Sequence, residues 1–169
     1  IVDLSALCGA SEQDWPPVHS ALLHAAERTG AVLTMMDNLY AFGPGSAMPM
    51  REGDRLAATG TKGRVRARMA TDLLEAHAAG RLRATLARAS DFYGPEVLGA
   101  ALGERVVPKV LQGKGVSVLG SADVPHSLSY MPDVVRTLVT IALDERESLG
   151  VVLAAMLSLG SAQRANERA

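Results

Sequence analysis

The feature that most constrains this chain is one long amphipathic stretch held between two short apolar runs. Ala31-Val32-Leu33-Thr34-Met35-Met36 is continuously apolar, the pattern of a strand buried on both faces. Lys62 to Ala79 follows with Val65, Met69, Leu73 and Ala76 at helical spacing, which leaves Arg66, Arg68, Asp72 and Glu75 for the wet side. Gly80 stops that helix, and Leu82 to Arg88 is the next strand. A strand–helix–strand unit predicts two adjacent parallel strands joined by a right-handed crossover.

The remaining segments fit the same layered plan. Ile1 to Ser5 is a short opening strand, and Asp14-Trp15-Pro16-Pro17 has the capping Asp and early prolines of a helix entry. That helix runs from Pro17 to Arg28, with Val18, Leu22 and Ala25 on one stripe and Gly30 as its stop. Short helices are expected at Pro95 to Leu102 and Arg105 to Gln112, and brief strands at Val116 to Leu119 and Ser127 to Tyr130. Pro132-Asp133 opens a last helix through Leu143, with Val134, Leu138 and Ile141 inside. Gly150 to Ala169 reads as a fraying tail. Alternating strands and helices predict an α/β layer with a parallel sheet.

Composition excludes several function classes. Seventeen basic residues balance eighteen acidic ones, so charge offers no case for nucleic acid or an anionic membrane surface. No apolar run reaches the roughly 18 to 20 residues needed to span a bilayer, and nothing at the start reads as a basic-then-apolar signal peptide. The single Cys8 rules out an internal disulfide. His19 and His24 do not share a helix face, so no metal is expected. A cytoplasmic domain is the expectation, and the excess of Arg over Lys suggests a GC-rich, bacterial coding bias. The chain opens at Ile1 rather than Met, which suggests a piece of a longer protein.

In open α/β sheets, ligands bind outside the carboxyl ends of the strands. Two loops leave such ends here, Asp37 to Pro44 and Ala89 to Pro95, although a Gly-Pro pair also serves simply to tighten a turn. Asn38-Leu39-Tyr40-Ala41-Phe42-Gly43 and Arg88-Ala89-Ser90-Asp91-Phe92-Tyr93-Gly94-Pro95 resemble two elements of the extended short-chain dehydrogenase/reductases, the NAD-dependent epimerase/dehydratase group. The first is similar to that family's Ser-x-x-Val-Tyr-Gly, the second to its Arg-Tyr-Phe-Asn-Val-Tyr-Gly-Pro. Leu119-Gly120 through His126 to Tyr130 and Asp133-Val134 resemble the segment entering a late helix, so the likeness runs from Ile1 to Leu143.

The resemblance implies a partial Rossmann-like parallel sheet with flanking helices, the N-terminal strands missing, and a small C-terminal substrate-side subdomain. It divides the chain into residues 1–95, the later half of an NAD(P)-binding domain; 96–145, a substrate-side segment with its late helix; and 146–169, an undefined tail. It implies NAD or NADP as cofactor of the longer protein and a small or sugar-like hydroxyl or carbonyl compound as substrate, and it leaves room for a homodimer. The family's Gly-rich phosphate loop has no counterpart, because no G-x-x-G-x-x-G occurs. Weak or no cofactor binding by this chain follows.

The resemblance also assigns site residues. Asn38 falls at the family's catalytic hydroxyl, Lys62 at the Tyr of Tyr-x-x-x-Lys, and Arg66 at its Lys, one helical turn on. These are the catalytic candidates, with Asn38, Lys62, Ala89 and Ser90 facing the cofactor. Asp91 falls where the family places a substrate-touching Asn, and His126 where sugar-nucleotide epimerases carry a diphosphate-binding Arg. Lys62 is no phenol, and Lys62 with Arg66 also fits a solvated helix face, as His126 fits a strand edge. The competing reading is therefore a non-catalytic member of the scaffold that senses NAD(P) or joins a partner protein.

Overall fold

The computed structural model describes residues 13–100, 102–117, 124–144, 150–153 and 157–158. In chain order its elements are α1 (Trp15–Thr29), β1 (Val32–Asp37), α2 (Thr61–Ala78), β2 (Arg83–Arg88), β3 (Asp91–Tyr93), α3 (Val107–Leu111), β4 (Ser127–Tyr130), α4 (Met131–Ala142), β5 (Gly150–Leu153) and β6 (Leu157–Ser158). They fall into two units. The first holds the described residues up to Arg88 with 138–144 and β5; the second holds those from Ala89 to Thr137 with β6.

In the first unit β1 and β2 are parallel neighbours, in register from Val32↔Arg83 to Asp37↔Arg88, and α2 is the helix between them, as the sequence predicts. β5 pairs parallel on the other side of β2. That position explains one departure. β2 is buried from Ala84 to Arg88, whereas β1, expected to be buried on both faces, has β2 as its one partner strand among the described residues and is half-buried along most of its length.

The core is built by α2, β2 and α1. Ala70, Leu73 and Ala76 pack with Leu82, Ala84, Leu86 and Ala26, and Leu23, Leu33 and Met35 close the edges. On α1 the buried face carries His19 and Ala26, one position later than the expected Val18, Leu22 and Ala25 stripe; Ala25 is exposed. An alanine-rich helix offers little contrast to set that phase. Asp14 makes no side-chain cap, so the two prolines in the first turn rather than the carboxylate mark the start. Gly30 ends the helix with φ 70°, and its amide donates to the Ala26 carbonyl.

The β1–α2 connection is long but anchored at its base. Ala57 and Ala58 amides donate to the Phe42 and Ala41 carbonyls, which returns the loop onto the end of β1. Gly43 makes that return feasible. Its φ is +79°, and a Cβ there would lie 2.6 Å from Ala58 Cα.

In the second unit β3 and β4 are parallel, from Asp91↔Leu128 to Tyr93↔Tyr130, and β6 runs antiparallel to β4. The Tyr93 and Tyr130 ring centres are 5.3 Å apart. Several sequence expectations change here. Asp91–Tyr93, expected as loop, is a strand because β4 provides its hydrogen-bond partner. No helix forms at 95–100, where the chain turns instead, and Gly103 folds back so closely that its amide neighbour Glu104 donates to the Leu98 carbonyl. The helix expected from Arg105 shortens to α3. Val116 is not in a strand, while the rest of that expected strand beyond 117 lies outside the described residues, as does the opening strand Ile1 to Ser5. β5 and β6 arise in the stretch expected to fray.

Candidate active site

The carboxyl ends of β1 and β2 stop level with one another, each on a buried charge. Asp37 ends β1, Arg88 ends β2, and Arg88 Nε lies 3.4 Å from Asp37 Oδ2 with both side chains about 1% exposed. Arg88 also stacks on the Phe42 ring, Cζ 5.0 Å from its centre. Arg66 reaches in from α2, its Nη1 3.9 Å from Asp37 Oδ1, and its guanidinium lies 4.2 Å over Trp15. Burial pushes the Asp37 carboxyl above its ordinary 3.8, against the opposing pull of the Asn38 backbone amide and the two guanidinium groups.

Asn38 and Ala89 are the residues that follow these two strand ends. Asn38 is half-buried, and its Oδ1 accepts from the Tyr40 amide, which makes a tight turn and leaves its side-chain NH2 for another partner. Gly63 brings α2 against this turn, for a Cβ there would lie 2.6 Å from the Tyr40 carbonyl oxygen. Lys62, the residue before Gly63, is exposed on the first turn of α2. Arg66 is one turn further along, committed to Asp37 and Trp15 rather than to a solvated face.

The other candidates lie in the second unit. Ala89 is fully buried, side chain and backbone alike. Ser90 is tied to β4: its amide donates to Ser129 Oγ at 3.1 Å, and the two hydroxyls are 3.0 Å apart. Asp91 and His126, far apart in sequence, meet at 2.8 Å through Oδ2 and Nε2. Both are solvent-accessible, so the bond is a surface pair rather than a buried one.

Sequence reasoning passed over Asp37 and gave Arg88 no role beyond its motif. Their signal was nevertheless present, since each is a charge closing an apolar run, at equivalent ends of two strands expected to pair. His19 was also missed. It is 3% exposed, neither ring nitrogen has a hydrogen-bond partner among the described residues, and burial lowers its pKa below the ordinary 6.5. It lines a groove of about 810 Å³ between α1 and α2, together with Ser20, Leu23, Val65 and Met69.

That burial has a pH consequence. Above pH 6.5 His19 is neutral in both folded and unfolded chains and contributes no slope. As pH falls through 6.5 the unfolded chain takes the proton first, so stability drops until the lower folded pKa is reached. Asp37 works in the opposite direction, gaining stability as pH falls through its raised pKa toward 3.8. Urea midpoints measured across pH 5 to 7 should therefore fall on acidification in the wild type and flatten in His19→Leu. An equal slope in the variant would contradict this.

Among the described residues no cluster of three or more His, Cys, Asp and Glu side chains could hold a metal. No helix among them is long and apolar enough to cross a membrane. A dinucleotide is a different matter. A pyrophosphate needs a glycine cradle with open space over the backbone at a helix N-terminus. Of the glycines around α2, Gly63 is filled by Tyr40 and Ala58 and Gly43 by Ala57 and Ala58, while Gly60, the α2 N-cap, has open space over it. One open glycine is not a glycine-rich cradle, and Gly43 and Gly63 do not fit the pyrophosphate.

The fold itself matches solved structures. UDP-N-acetylglucosamine 4-epimerase from Methanobrevibacter ruminantium M1, in complex with UDP-N-acetylmuramic acid, superposes over 94% of this chain with TM-score 0.74 at 15% identity. UDP-glucuronic acid 4-epimerase from Bacillus cereus, in complex with UDP-glucuronic acid and NAD, covers 86% with TM-score 0.71 at 16% identity. The chain shares the fold of these two epimerases. The dTDP-glucose 4,6-dehydratase from Streptomyces venezuelae, with NAD bound, shares it too, covering 86% of this chain with TM-score 0.64 at 16% identity. The likeness is partial, since the chain spans 55%, 48% and 45% of these three proteins. It is thus a partial Rossmann-like α/β fold. No protein-family model and no curated protein matches the chain.

Proposed function

We propose that this chain is the later part of an NAD(P)-dependent oxidoreductase of the epimerase/dehydratase type, acting on a small or sugar-like hydroxyl or carbonyl substrate. The observation that carries the reading is the level pair of strand ends, with the Asn38 turn following β1 and α2 packed against that turn at Gly63. The fold shared with nucleotide-sugar epimerases supports it. In this reading Asn38, Lys62, Ala89 and Ser90 are the cofactor-side residues, and Asp91 and His126 the substrate-side residues. A homodimer is part of the proposal.

Lys62 cannot act as a phenol. An amino group at that place can hydrogen-bond a substrate or ribose oxygen, while Arg66 is engaged with Asp37. This substitution supports a second reading, a non-catalytic member that senses NAD(P) or docks a partner protein. Both readings share one test. Millimolar NADH added to the isotope-labelled chain should shift the amide resonances of Asn38, Lys62 and Ser90, and Lys62→Ala should reduce those shifts by about half or more. Shifts confined to the α1–α2 groove would contradict the assignment. Turnover with nucleotide sugars by the longer protein, lost in Lys62→Ala, separates the enzyme from the sensor.

A further inference from the structure

Asp37 stands where three elements meet. Arg88 approaches from β2, Arg66 from α2, and His19 on α1 lies close enough for its own titration to feel the Asp37 charge. Neither cation closes fully on the carboxylate. The Arg66 distance of 3.9 Å is beyond hydrogen-bond range, Asp37 Oδ1 has no hydrogen-bond partner, and Arg88 Nη2 is likewise buried without one. Arg66 has a second attachment on its other side, the Trp15 ring at 4.2 Å.

These two attachments respond differently to a proton. The pull between Arg66 and Asp37 is Coulombic and disappears when the carboxyl is neutral, whereas the attraction between the guanidinium and the indole face is independent of Asp37. We propose that Arg66 is a positioning residue, an arm that couples the charge state at the end of β1 to the seating of α1 through Trp15. With Asp37 charged, the guanidinium is shared between carboxylate and ring. With Asp37 neutral, it belongs to Trp15 alone. Arg66 is one helical turn beyond Lys62, and Asp37 immediately precedes Asn38, so the arm runs behind the candidate site and touches both of its flanks. Any bound group that changes the charge near Asp37 would move the same arm.

The molecule supplies its own reporter, because Trp15 is the one tryptophan of the chain. Burial places the Asp37 transition above the ordinary carboxyl value of 3.8. Trp15 emission should therefore show a reversible step above that pH while far-ultraviolet circular dichroism stays constant. The step should be lost in Asp37→Asn and in Arg66→Gln. It should persist in His19→Asn, which removes the other group on α1 that titrates nearby. Should Asp37→Asn fail to fold, Arg66→Gln decides alone, since that side chain is partly exposed. Absence of the step in the wild type, or its survival in Arg66→Gln, would overturn the proposal. No cofactor or substrate enters the assay, so its outcome is independent of the proposed enzymatic function.

Discussion

Replacing Arg88 with methionine will cost the first unit about 3 kcal/mol, near the lower end of what breaking a buried ion pair costs. The side chain is 1% exposed, so no water replaces the lost guanidinium around Asp37. Arg66 is still there, but at 3.9 Å it cannot take over the hydrogen bond. Methionine fills most of the volume and keeps contact with Phe42, so the loss reports the charge rather than a cavity. Two features hold the figure below the extreme. The Arg88–Asp37 contact is long at 3.4 Å, and a carboxyl already raised by burial can take up a proton instead of remaining a bare charge. Accordingly, the loss should shrink at lower pH, and the double variant Asp37→Leu with Arg88→Met should recover most of it, because an apolar pair of similar volume has no charge to desolvate. Urea unfolding of the single and double variants measures this. A loss under about 1 kcal/mol for Arg88→Met would mean that the pair is incidental to the fold.

The parts of this structure legible in sequence are those set by strong periodicity. The α2 stripe Val65, Met69, Leu73 and Ala76 is buried as spaced, and the two apolar runs pair in parallel around it. β4 also begins and ends where its residues suggest, at Ser127 and Tyr130. What escaped was decided by neighbours distant in the chain. Asp91–Tyr93 looks like a turn because Gly-Pro follows it, and becomes a strand only because β4 lies alongside. The phase of α1 was misjudged by one position, since adjacent alanines weigh equally and a histidine occupies the core face. Ordering of the chain's late segment depends on pairing with β2 and β4, which no local pattern announces.

The candidate site divides in the same way. Asn38 and Lys62 stand out through a motif likeness, and the structure adds that only glycine at position 63 lets α2 meet the Tyr40 carbonyl. Asp91 and His126 were chosen separately and are hydrogen-bonded to one another. The Asp37–Arg88–Arg66 arrangement needed coordinates, because a charge at the end of an apolar run reads as the start of a loop until its partner strand is known.

We propose that these residues hold the nicotinamide side of a dinucleotide site without the pyrophosphate cradle, which predicts a large loss of affinity. A pyrophosphate is held by several charge-assisted hydrogen bonds, each worth roughly 1.5 to 3 kcal/mol. Losing even two of them weakens binding by about a hundredfold or more. Gly43 and Gly63 are already filled by the chain's own atoms, so neither supplies a substitute. The direct measurement is calorimetric titration of the purified chain with NADH and with NADPH, alongside its mass in solution by light scattering. The account predicts no saturable heat in the micromolar range for either cofactor; stoichiometric micromolar binding by a monodisperse monomer would contradict it.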